Sequence, residues 1–146
     1  MSALKYAVQI SGLTHCPPAD CSTRKATLFR IVREDVDDPK NFQPPAVLNP
    51  ARKFNGDAAC CSGYALSFFE TVKAARSLYE GLKRRHPEIH QTLGTHLAEV
   101  SIQPHDGLLT VPSRSGHLDL HQSEGMDLRP RTRIIAQLHP DTGAPS

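Results

Sequence analysis

Between residues 60 and 87 the polar and apolar positions separate at helical spacing. Val72, Ala75, Leu78, Tyr79 and Leu82 recur every three or four residues, while Lys73, Arg76, Glu80, Lys83 and Arg84 fall largely on the other side. The pattern predicts one main amphipathic helix over about residues 68–86, with Pro87 preventing its continuation. Just ahead of it, residues 64–69 (YALSFF) are short, aromatic and apolar, as a buried strand is. Ser67 and Glu70 stand at capping-box spacing, which puts the helix start there or a residue or two later.

Elsewhere a period of two dominates. In residues 27–32 (TLFRIV), Phe29 and Ile31 face one way, and Leu28, Arg30 and Val32 the other. Residues 95–102 (THLAEVSI) alternate in the same manner, with His96, Ala98, Val100 and Ile102 on one face. Further strands are predicted at 5–10, 108–111, 117–121 and 133–138, with turns at 104–107 and 112–116. A long Pro-rich loop over about 34–57 carries Pro39, Pro44, Pro45 and Pro50. It reads as an irregular wrap over the core, or as the cover of a cleft.

Strands on both sides of one helix define an α+β class, with a mixed or largely antiparallel sheet packed on that helix. A doubly wound fold would need several crossover helices. The expected organisation is a single domain over residues 1–140 and a flexible C-terminal tail at 141–146.

Composition narrows the function classes. A chain of 146 residues and 16.0 kDa can bury a core of its own. With 38% hydrophobic and 22% charged residues it resembles neither a membrane protein nor a disordered chain. A net charge of +2 and a pI of 8.4 are too mild for a nucleic-acid surface, so the expected partner is a protein or a small-molecule ligand. Lys83, Arg84 and Arg85 are accounted for by the helix C-terminus, where cations complement the macrodipole. No segment approaches the ~20 apolar residues of a membrane helix, and the first residues lack a secretory pattern. The expected location is therefore the cytoplasm, with Cys16, Cys21, Cys60 and Cys61 as reduced thiols.

Residues 116–121 (GHLDLH) form the most site-like pattern. On an extended strand His117, Asp119 and His121 share a face, and two imidazoles with a carboxylate suit a divalent metal such as zinc or iron. His96 or Glu99 would complete such a set; the competing reading is the solvated face of an amphipathic strand. Cys16 and Cys21, with His15 adjacent, are loosely spaced for zinc, but the second pair would be the vicinal Cys60 and Cys61. Buried, inert thiols are the better expectation for those two.

A second constellation spans the middle of the chain: an arginine on an early strand in residues 28–31 (LFRI), a Ser-containing aromatic strand leading into a helix in residues 64–67 (YALS), and a later glutamate, Glu99 or Glu124. This order, over residues 28–124, resembles small NAD-consuming toxins of the RES and ADP-ribosyltransferase-like kind. The glycine-rich signature of RES toxins has no counterpart here. The resemblance implies NAD as the bound cofactor, Arg30 or Arg33 clamping its pyrophosphate, Ser67 beside it, Tyr64 stacked on nicotinamide, and Glu99 stabilising the oxocarbenium-like centre. Against it, Arg30 and Arg33 would simply pair with Glu34, Asp35, Asp37 or Asp38. Three readings follow: a ligand- or partner-binding domain using the polar faces of 27–32 and 117–121 with the Pro-rich loop; an NAD-processing enzyme; and a His/Asp metal-binding protein.

Overall fold

The computed structural model describes residues 3–139. Six strands form one sheet in the order β4-β5-β2-β1-β3-β6. They are β1 (Ala26–Val32), β2 (Leu66–Phe69), β3 (His96–Ile102), β4 (Gly107–Leu109), β5 (His117–Gln122) and β6 (Thr132–Gln137). Every neighbouring pair runs antiparallel, which settles the choice between a mixed and an antiparallel sheet. The α+β class stands, with one main helix, α4 (Val72–Arg85), on the sheet.

Alternation along the strands builds two cores. Leu28, Leu66, Phe68, Val100, Ile102, Leu118 and Leu120 pack together on one face, under partly buried Phe42 and Met126. On the other face Ile31, Phe69 and Leu97 meet Ala75 and Tyr79 of α4 (Val72–Arg85). Tyr79 is wholly buried, and its hydroxyl donates to the Gly94 carbonyl at 2.9 Å. Gly94 itself passes so close to the end of β1 that a Cβ would collide with the Val32 carbonyl, at a φ of +122°.

Helix α4 begins later than the capping-box spacing suggests. Thr71 is its cap, accepting a hydrogen bond from the Ala74 amide at 3.0 Å. Ser67 lies inside β2, whose residues register with Leu120, Asp119, Leu118 and His117 of β5, and that cross-strand pairing outweighs the local cap. Residues 5–10 also depart from expectation. They hold a helical turn, α1 (Ala7–Ile10), of which only Ile10 is buried, so an alternating pattern without a partner strand made no sheet.

The Pro-rich stretch is more structured than a bare loop. It contains a 3-10 turn, Pro39–Phe42, with Asp38 capping the Lys40 amide, and then α2 (Pro45–Leu48). Prolines at the first turn of each are placed where the missing N–H is not needed. Two more short helices follow, α3 (Asp57–Gly63) and α5 (Ile89–Leu93). Asn41 fastens the stretch to β1: its side-chain oxygen accepts from the Arg33 amide at 2.7 Å, and its amide donates to the Asp35 carbonyl at 2.8 Å.

The cysteines correct a second expectation. Cys16 and Cys61 are joined in a disulfide across a sequence separation of 45, while Cys21 and Cys60 are free. A pairing made by α3 packing against a distant loop leaves no trace in local spacing, so the reduced, inert Cys61 expected from composition does not hold. Among the described residues no helix is long and apolar enough to cross a membrane. The tail assigned to residues 141–146 lies outside the described residues.

Candidate functional site

The junction between β1 and β2 has the shortest ladder in the sheet. β1 registers with β3 along its whole length, from Ala26 to Val32, but with β2 only at Phe29 opposite Phe69. Beyond that pair the strands part company, and Arg30 occupies the seam. Its Nη1 donates to the Ser67 carbonyl at 2.7 Å and its Nε to the Asn41 carbonyl at 2.8 Å. Its guanidinium carbon lies 5.6 Å from the Phe68 ring centre. Arg30 is only 9% exposed, and burial, with Arg33 nearby, lowers its pKa to about 10.

A cavity of about 400 Å³ opens over this seam. The strands contribute Arg30, Ser67 and His117, and the Pro-rich stretch contributes Lys40 and Asn41. Arg33 follows β1 immediately, and Leu78 of α4 with Phe69 supplies an apolar wall. The ionisable groups in its lining are Arg30, Arg33, Lys40 and His117, and its walls hold no carboxylate. Volume and mixed character match small-molecule sites, which are mostly apolar with a few convergent polar groups.

Several of the residues singled out from sequence meet here. His117 Nε2 lies 3.0 Å from Ser67 Oγ, and Ser67 in turn receives Arg30 through its carbonyl, so the early arginine and the late histidine converge on one serine. The His117 ring stands edge-on to Phe69, with centroids 5.6 Å apart. Arg33 lines the same cavity while its Nη2 donates to the Thr92 carbonyl at 3.1 Å. The acidic partners weighed for Arg30 are not the ones it uses; backbone carbonyls hold it instead.

Tyr64 and Glu99 lie elsewhere. Tyr64 ends α3 and its ring lies 5.8 Å from that of Tyr6. Glu99 registers with Phe29 and receives Arg133 Nη2 at 3.2 Å. Neither lines the cavity over the seam.

β5 also spreads its polar face over two places. His117 lines the cavity over the seam, whereas Asp119 and His121 line another of about 270 Å³ beside α3. There Ser62 Oγ donates to Asp119 Oδ2 at 2.8 Å. Asp119 Oδ1 lies 3.5 Å from His117 Nε2 but makes no hydrogen bond. His121 is 3% exposed; burial lowers its pKa, against the opposing pull of Asp119. Its Nε2 lies 3.9 Å from Cys61 Sγ.

Lys40 and Asn41 were invisible as site residues because nothing local distinguishes them from loop polars. The Asp38-Pro39 start of a 3-10 turn was the available signal that this stretch is built. Compared with known proteins, the chain matches no family model, no curated protein and no solved structure.

Proposed function

We propose that the chain is a small-molecule binding domain, and that the cavity over the β1–β2 seam takes an anionic ligand of the phosphate-bearing class. The observation that carries this reading is the sign of the lining: three cationic side chains and a histidine, with no carboxylate among the walls. Arg30 deepens it. A guanidinium that gives two of its five N–H donors to neutral carbonyls keeps its charge uncompensated, so an anion entering the cavity meets a poorly hydrated cation with donors to spare. Ser67, His117 and the serines at 113 and 115 supply further hydrogen-bonding groups, and Phe69 with Leu78 gives an apolar surface for the body of the ligand.

Thermal shift measurements with inorganic pyrophosphate, a nucleoside diphosphate, NAD and an uncharged nucleoside test this reading. Phosphate-bearing compounds should raise Tm, and go on raising it with the logarithm of concentration above Kd; the nucleoside should not. Lys40→Ala and Arg33→Ala should each weaken binding roughly tenfold, a charge-assisted contact being worth about 1.5 kcal/mol. Equal indifference to all four compounds sinks the proposal.

A second reading, an enzyme that processes NAD, is favoured by the meeting of Arg30 with Ser67 beside Phe69. It asks for a carboxylate at the reacting carbon, and Glu99 sits outside the cavity lining, paired with Arg133. Release of nicotinamide from NAD, abolished in Arg30→Ala, would promote it over the first reading.

A further inference from the structure

We propose that reduction of the Cys16–Cys61 disulfide opens a zinc site made by both sulfurs and the imidazole of His121. The donor atoms already stand together: Cys16 Sγ, Cys61 Sγ and a His121 ring nitrogen all lie within 4.8 Å of one another. Among the described residues they are the group of three metal-ligating side chains that converges in this way. Cys61 and His121 are buried and Cys16 is half-buried, so the site is sheltered without being sealed.

The disulfide uses the sulfurs that the metal needs, which makes the two states exclusive. A dithiol reductant supplies two electrons and two protons, becomes a disulfide itself, and leaves Cys16 and Cys61 as thiols. Zinc then displaces both thiol protons to solvent and binds two thiolates and a neutral imidazole. Tetrahedral zinc at about 2.3 Å from each sulfur sets the sulfurs roughly 3.8 Å apart, a small separation for residues whose backbones are already adjacent.

Two Cys and one His leave a fourth position, the arrangement of catalytic rather than structural zinc. Cys61 and His121 line the cavity of about 270 Å³ together with His15, Asp57, Ser62 and Asp119, and that position would open into it. Asp119 of this lining brings a second pointer: its Oδ1, 3.5 Å from His117 Nε2, is buried and accepts no hydrogen bond, so its carboxylate has acceptor capacity left for a zinc-bound water. The site differs from the His117/Asp119/His121 set suggested by sequence, since β5 turns His117 toward the other cavity. It stands independently of the anion reading, because the two cavities share no lining residue.

Cobalt(II) substitution provides the test. The full chain is titrated with Co²⁺ before and after reduction with a phosphine, and the thiolate-to-cobalt charge-transfer band is followed together with far-ultraviolet circular dichroism. The expected result is a band only in the reduced protein, bleached by zinc. Cys16→Ser and Cys61→Ser should each remove most of it, and His121→Gln should weaken Co²⁺ binding at least about tenfold. A Cys21→Ser/Cys60→Ser double variant should behave as the unaltered chain does. A band of equal strength in the oxidised protein, its loss in the Cys21/Cys60 variant, or its persistence in Cys16→Ser would each overturn the site. So would a reduced chain that unfolds and is not refolded by Co²⁺, because a native site of this kind must pull the equilibrium back toward the fold.

Discussion

Asp106 and Arg131 form the tightest charged contact described, and they show how burial and pairing compete at a single residue. Asp106 is fully buried, which by itself raises its pKa; two hydrogen bonds from Arg131, at 2.6 Å each, and one from the Gln103 amide reverse this and leave the pKa lowered. The sign of the consequence is fixed by that direction. Stability is fully present above the ordinary carboxylate range near pH 4 and falls as acid protonates Asp106 in the unfolded chain but not in the folded one. Asp106→Asn should flatten the acid limb of a stability–pH curve measured by urea unfolding. Arg131→Ala should cost about 3 kcal/mol at pH 7, since it strands a buried carboxylate. Arg30 is the opposite case: burial, with Arg33 nearby, lowers its pKa, and the carbonyls that hold it bring no charge to reverse this. The sequence marked Arg30 as a candidate through its place on an apolar strand. It could not mark Asp106, whose partner lies twenty-five residues away in the chain.

At the scale of elements, α4 depends on a small number of contacts that can be probed one at a time. Removing the Tyr79 hydroxyl by Tyr79→Phe leaves the Gly94 carbonyl without its donor and should lower stability by about 1 kcal/mol. Gly94→Ala should cost more than that, because the backbone is left-handed and a Cβ would meet the Val32 carbonyl. Thermal unfolding of both variants checks the order. The elements with strong periodicity were legible: β1, β3, β5 and α4 fall where alternation and the three-to-four spacing place them. What failed was local chemistry overruled from a distance. Ser67 and Glu70 carry a capping-box spacing, yet β5 draws Ser67 into the sheet and Thr71 takes over the cap. Residues 5–10 alternate like a strand, but only Leu4, just outside them, makes a bridge, to Ser123. The short helices α3 and α5 have five to seven residues, too few for periodicity to declare them.

For the molecule as a whole, the Cys16–Cys61 link ties a long loop to the helix before β2 and restricts the unfolded chain. For a sequence separation of 45, the chain-entropy estimate is about 4 kcal/mol. Metal-free protein should therefore melt roughly 10–20 °C lower after reduction than before, as read by calorimetry. An unchanged Tm would mean that the loop is held by packing alone. The pairing also bears on location. In a reducing compartment, the location expected from the sequence, the link would be open and its two sulfurs would join the His121 nitrogen as donors for a metal. Composition could supply four cysteines but not this partnership, which exists only once α3 has docked.

The single register pair between Phe29 and Phe69 has a mechanical meaning for the whole sheet. Three strands on each side are firmly laddered to one another, and the two triplets are joined where the ladder is shortest. The guanidinium of Arg30, reaching from one triplet to a carbonyl of the other, acts as a rivet at that joint. A ligand that grips Arg30 from one triplet and His117 from the other would clamp both leaves at once, so occupancy of a surface hollow would be felt as stiffness across the width of the protein.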